Sequence, residues 1–132
     1  MNFLSYYNQS SGTKTLFTQL FLYKRTLQLG GILILDELDI NLHPDLIPIL
    51  LNFFESEKLN PKKAQLIFTT HNNEIMDRLK KSRIVLVNKE DNESYLYKLD
   101  ETGEILRNDR SICKVYNSGR LGGKPKIELD YE

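Results

Sequence analysis

A chain of 132 residues with 40% hydrophobic and 27% charged side chains has the balance of one compact globular domain at most. Its 18 basic residues offset its 18 acidic ones, which removes any net-charge argument for a nucleic-acid surface or an anionic membrane. A single cysteine, Cys113, excludes an internal disulfide and fits a reducing compartment. The opening Met1-Asn2-Phe3-Leu4-Ser5 has no basic region ahead of an apolar one, and the apolar run Ile32 to Leu35 is far too short for a bilayer, so the expectation is a soluble, cytoplasmic protein without a membrane partner.

Residues 1–12 are short and polar and lead into Ser10-Ser11-Gly12-Thr13. Leu16, Leu20, Tyr23 and Leu27 then recur at spacings of three and four, which predicts a helix of roughly four turns closed by Gly30-Gly31. Ile32-Leu33-Ile34-Leu35 is apolar at every position, the pattern of a strand buried on both faces, and it stops at Asp36-Glu37. Residues 38–43 form a loop. The next helix carries Ile47, Leu50, Leu51 and Phe54 on one face; Pro48 is tolerable only in a first turn, so this helix starts later than Pro44. After the turn Asn60-Pro61-Lys62-Lys63, a second strand, Gln65 to Thr69, runs into Thr70-His71-Asn72. A short helix at about 73–80, a strand Arg83 to Asn88, a turn at 90–92 and a hairpin partner Glu93 to Leu99 follow. Beyond residue 100 only a helical turn at Ser111 to Tyr116 and a glycine-rich loop at 119–125 are legible.

Strand, helix, strand, helix, strand is the order of a wound α/β sheet, whose chemistry sits at the carboxyl ends of its strands. Two strands end in polar groups, one in Asp36-Glu37 and the other in His71. A carboxylate at such a tip can hold Mg²⁺, a second can orient and deprotonate water, and a histidine can donate a hydrogen bond to a phosphate oxygen. Acids at a strand exit, or a loop histidine, also occur without any chemistry. It is their combination across one strand-helix-strand unit that favours function. Ser10-Ser11-Gly12 reads equally as an anion site at a helix N-terminus or as an ordinary serine cap.

In this order, Ser10-Ser11-Gly12-Thr13, Gly-Gly-Ile-Leu-Ile-Leu-Asp36-Glu37, Asn41-Leu42-His43-Pro44 and Ile-Phe-Thr-Thr-His71-Asn72 resemble the motifs of ABC-type ATPases. More closely, they resemble the bacterial AAA-family ATP-binding proteins related to the SMC and overcoming-lysogenization-defect ATPases, many of which are associated with phage defence and restriction loci. The resemblance runs from Ser10 to about Asp77, with a weaker echo at Tyr116-Asn117-Ser118-Gly119-Arg120-Leu121-Gly122. It implies a partial P-loop NTPase of α/β class: a parallel sheet with flanking helices and a C-terminal β-hairpin. Residues 1–100 would be the C-terminal part of an ATPase domain and residues 101–132 an extension.

The same resemblance implies ATP and Mg²⁺ as cofactors. Asp36 would be the Walker B acid supporting the metal, Glu37 the catalytic base or water-positioning residue, and His71 the switch histidine. Ser10, Ser11 and Gly12 would stand in the signature motif that meets ATP on a partner subunit, and Asn41 and His43 in the D-loop of a dimer interface. The signature departs from Leu-Ser-Gly-Gly-Gln, and His43 stands where many ABC proteins carry aspartate.

No Gly-x-x-x-x-Gly-Lys-Ser/Thr loop occurs in the chain, and Gly12-Thr13-Lys14-Thr15 is a poor substitute because Thr13 separates the glycine from the lysine. The expectation is a truncated reading frame or a fragment that binds ATP weakly by itself. Its partners would be the missing N-terminal half or a second head, a homodimer when intact, and an associated nuclease or toxin. An exposed apolar strand edge or face would accompany the missing half. Two further readings stand beside it: a pseudo-ATPase that only docks on a partner, and a metal-dependent nuclease ligating an ion through Asp36, Glu37, Asp39, His43 and His71.

Overall fold

The computed structural model describes residues 6–40, 42–90, 92–105 and 111–123, with the backbone alone at 103–105. The chain divides into two compact units, Met1–Asn72 and Asn73–Glu132.

In the first unit a 3-10 turn, Tyr6–Asn8, leads into helix α1, Ser11–Leu29. Ser10 caps it, its hydroxyl accepting from the Thr13 amide at 3.2 Å. Gly30 ends it in the left-handed region at φ 76°, with its amide bonded to the Thr26 carbonyl. A side chain at Gly30 would also stand 2.9 Å from Cβ of Lys62, so glycine is demanded there by both conformation and space. Strand β1 is Ile32–Leu35, helix α2 Leu46–Glu55 and strand β2 Gln65–Phe68. Pro48 is the third residue of α2, where its missing N–H has no helical acceptor to lose.

Strands β1 and β2 pair in parallel, Ile32 opposite Gln65 through Leu35 opposite Phe68. The pleat sends Leu33, Leu35, Leu66 and Phe68 to one face and Ile32, Ile34 and Ile67 to the other. The first set is half-buried, whereas Ile32, Ile34 and Ile67 are 62%, 71% and 53% exposed. The expectation that β1 is buried on both faces therefore fails. Among the described residues, nothing covers the isoleucine face. The exposed apolar face anticipated from the sequence is thus present.

The buried side chains of the first unit include Tyr23, Leu38, Ile47, Leu50, Leu51 and Ala64. Tyr23 is 1% exposed and packs edge-on against Phe54, with ring centres 5.8 Å apart. Burial pushes its phenol up to about 12. Asn60 is the buried polar residue of this unit, and its amide is fully used. Its Nδ2 donates to the Phe54 carbonyl at 2.9 Å and to the Ala64 carbonyl at 2.8 Å, and its Oδ1 accepts from the Ala64 amide at 2.6 Å. One side chain thereby ties the end of α2 to the start of β2.

In the second unit, 3-10 turns at Asn73–Asp77 and Lys81–Arg83 precede strands β3, Val85–Glu90, and β4, Glu93–Lys98. The strands form an antiparallel hairpin, Val85 opposite Lys98 and Glu90 opposite Glu93. A further 3-10 helix, Leu99–Ile105, precedes helix α3, Ile112–Asn117. The helix expected at 73–80 is thus a 3-10 turn of five residues, whereas β3 and β4 form the hairpin expected from the sequence, as a two-stranded sheet of their own. Ile84, Leu86, Leu99, Ile112, Val115 and Leu121 make the core, with Met76, Leu79, Tyr97 and Tyr116 packed against it. This core draws on residues from both sides of position 100. Of the loop expected at 119–125, positions 124 and 125 lie outside the described residues.

Asp77 fastens α3 from a distance in sequence. Its carboxylate accepts from the Ser111 hydroxyl at 2.6 Å and from the Cys113 amide at 3.2 Å. Partial burial pushes this carboxyl up. The bonds from Ser111, Cys113 and Ile112 and the charge of Lys114 together outweigh that and hold it below the usual carboxylate range.

Asn60→Ala removes three hydrogen bonds and strands the buried Ala64 amide. Chemical denaturation is expected to read a loss of about 3 kcal/mol. Because the folded Asp77 carboxyl titrates below its unfolded value, its contribution is present above the ordinary carboxylate range and is lost as pH falls through the depressed value. Thermal melts of the wild type and Asp77→Asn should differ at neutral pH and converge as pH falls through and below the depressed value of this carboxyl.

Candidate functional site

β1 and β2 run in the same direction, so their carboxyl ends lie side by side, and Thr69 joins them. Its amide donates to the Leu35 carbonyl at 3.1 Å and its carbonyl accepts from the Leu38 amide at 2.9 Å. Its hydroxyl donates to Asp36 Oδ1 at 2.5 Å and accepts from the Glu37 amide at 2.7 Å. A hydroxyl has one proton to give and lone pairs to receive with, so both bonds coexist. This single side chain orients the Asp36 carboxylate and fixes the backbone that presents Glu37.

Glu37 sits at φ 49°, a left-handed conformation uncommon for a residue with a side chain. The turn it makes lets the chain leave the strand, and its carboxylate stands beside the next strand end. His71 Nε2 lies 3.6 Å from Glu37 Oε1, with the imidazole 86% exposed. That distance is longer than a hydrogen bond, so the two groups are close neighbours across the strand ends without being bonded to each other. Of the residues expected together from the sequence, Asp36 and the Glu37 backbone are joined through Thr69, and the Glu37 carboxylate lies beside His71. Asp39, in the loop just beyond, keeps a buried Oδ1 without a hydrogen-bond partner among the described residues.

The hydrogen bonds of the other described candidates go elsewhere. The Ser10 hydroxyl is engaged with the amide and hydroxyl of Thr13, at 3.2 and 2.9 Å. Ser11 and Gly12 open α1, and none of the three bonds to Asp36, Glu37 or His71. The Lys14 ammonium donates to the Tyr7 carbonyl at 3.0 Å and lies 5.9 Å from the centre of the Tyr6 ring, so it is turned back on its own segment. His43 pairs locally, its Nδ1 accepting from the Asp45 amide at 3.3 Å. Asn41 lies outside the described residues. Among the described residues, no group of three or more His, Cys, Asp or Glu side chains is disposed to hold a metal ion. An ion at Asp36 would therefore draw most of its ligands from elsewhere. The carboxylate itself is a suitable hard donor, since Thr69 engages Oδ1 only.

Thr69 is the residue that sequence reasoning did not single out. As a β-branched residue in a strand it looks like ordinary propensity. The available signal was a hydroxyl at the last position of a strand whose predicted neighbour ends in an acid.

Residues 2–77, more than half of the chain, match the family model described as "AAA domain, putative AbiEii toxin, Type IV TA system". The chain belongs to this AAA-domain family. Membership makes the first unit an AAA, P-loop ATPase-like domain, and the β1–α2–β2 unit with its acidic strand tip falls within the matched residues. No curated protein and no solved structure matches the chain. Among the described residues of this AAA-domain protein, no helix is long and apolar enough to cross a membrane.

Thr69→Val keeps the shape of residue 69 and removes both of its side-chain bonds. A loss of roughly 1–2 kcal/mol is expected, with Thr69→Ser close to wild type. Hydrogen exchange at the Glu37 amide reports the local effect and should speed up about tenfold in the valine variant, the equivalent of ~1.4 kcal/mol.

Proposed function

We propose that the chain contributes the hydrolytic half of an ABC-type ATPase head, acting on ATP bound with Mg²⁺. The observation that supports this reading is the bridge from Thr69 to the Asp36 carboxylate and the Glu37 amide, at the adjacent carboxyl ends of two parallel strands, with His71 3.6 Å from the Glu37 carboxylate. Open α/β sheets place their ligands at such ends.

In this reading Asp36 supports Mg²⁺, directly or through water, and the ion when bound supplies charge neutralisation at the phosphates. Glu37 orients the attacking water and takes up its proton. His71, exposed and close to Glu37, donates a hydrogen bond to the terminal phosphate. Ser10, Ser11 and Gly12 face the nucleotide of a second head rather than their own. Asn41 and His43 line the contact with that head. A phosphate-cradling loop comes from another polypeptide segment, either an N-terminal half or a partner subunit. Phage defence, with an associated nuclease or toxin, is the setting that the family resemblance suggests.

Docking without hydrolysis is the second reading, and the uncovered isoleucine face of the parallel sheet is the observation that favours it. Mn²⁺ with ATP distinguishes the two, because the paramagnetic ion broadens NMR signals near its site even when binding is weak. Broadening confined to residues 35–38 and 69–71, abolished by Asp36→Asn, is the expected result. Calorimetry on the same chain should find at most weak ATP binding. Broadening absent from the strand tips, or unaffected by Asp36→Asn, overturns the hydrolytic reading.

A further inference from the structure

A groove of about 650 Å³ runs along the first unit and shares no residue with the strand-tip cluster. One wall is a stripe of α1: Leu20, Tyr23 and Leu27 at successive turns, about 10 Å of helix. The opposite wall is the end of α2 and the turn after it, with Phe53, Leu59 and Pro61. Tyr23 forms a buried floor, while Leu20 and Leu59 are 40% and 44% exposed.

Three cations, Lys24, Lys58 and Lys62, also line this groove. None forms an ion pair with a described residue, although the chain as a whole is neutral. These three ammonium groups, with no acid among the lining residues, give the apolar trough a positive rim. Such a surface attracts an apolar ligand carrying several negative charges.

We propose that this groove docks an acidic amphipathic helix of a partner protein. A helix laid between two walls presents apolar side chains at spacings of three and four toward the floor, and its Asp and Glu neighbours reach the rim. The lysines come from two separate segments, α1 and the turn after α2, which suits a ligand with several spaced carboxylates better than a single anionic headgroup. The concave form and buried floor suit inserted side chains better than a bilayer plane.

A display library of helical peptides tests the assignment. Apolar residues are fixed at i, i+3, i+4 and i+7, and the flanks are randomised among Glu, Lys, Gln and Ala. Selection on the full chain should enrich Glu at the flanks. Fluorescence anisotropy of the selected peptides should weaken at least about tenfold on the triple change Lys24→Glu, Lys58→Glu, Lys62→Glu, a difference of ~1.4 kcal/mol. The milder Lys→Gln triple change, with circular dichroism and melting as checks on folding, should weaken them in the same direction. Swapping the selected Glu residues for Lys should restore binding to the Glu variant. The proposal is overturned by no enrichment, by enrichment of Lys or neutral flanks, or by binding indifferent to the three lysines. Lysine-dependent sedimentation with phosphatidylglycerol vesicles, without peptide binding, overturns it in favour of a membrane surface.

Discussion

The hydroxyl of Thr69 is the constraint on which the strand-tip site depends. Parallel pairing alone would bring the ends of β1 and β2 together without fixing how the acids point. Thr69 adds a bond to the Asp36 carboxylate and a bond from the backbone that carries Glu37, each worth on the order of 1 kcal/mol. That is comparable to the roughly 1–2 kcal/mol cost of a left-handed backbone at a residue with a Cβ. The unusual conformation of Glu37 is thus offset locally, by a neighbour one strand away.

The two faces of the parallel sheet have opposite fates, and sequence periodicity could not have separated them. Leu33, Leu35, Leu66 and Phe68 are half-buried, whereas Ile32, Ile34 and Ile67 meet solvent. At ~25 cal/mol per Å² of apolar area, covering such a face is among the larger stabilising steps still open to this chain. The α1–α2 groove differs in kind, because its apolar walls come with a charged rim that biases what can enter. An uncovered apolar face without charge carries no such selectivity.

Much of the fold was legible where composition changes sharply. Four apolar residues followed by two acids marked the end of β1, and Ser10 and Gly30 marked the ends of α1, because caps are local chemistry written in adjacent residues. Features joined by long separations were not legible. Asp77 holds α3 across more than thirty residues, Thr69 holds Asp36 across a similar span, and Asn60-Pro61-Lys62-Lys63 reads as an ordinary turn although Asn60 is its buried lock. The burial of β1 was misjudged for a related reason. An all-apolar strand states what it can bury, while actual burial depends on what covers it. For the site, the acids and His71 stood out as polar groups just past apolar strands, and the threonine that holds Asp36 and the Glu37 backbone did not.

The positive φ of Glu37 also limits which residues the position can accept over evolutionary time. Glycine, asparagine and aspartate adopt that region readily, and β-branched residues do so poorly. Drift to glycine or asparagine would preserve the turn while discarding the carboxylate, and drift to aspartate would keep a shorter one. The backbone would then keep its path past Thr69, and a descendant could retain the architecture of the strand tips without the Glu37 carboxylate.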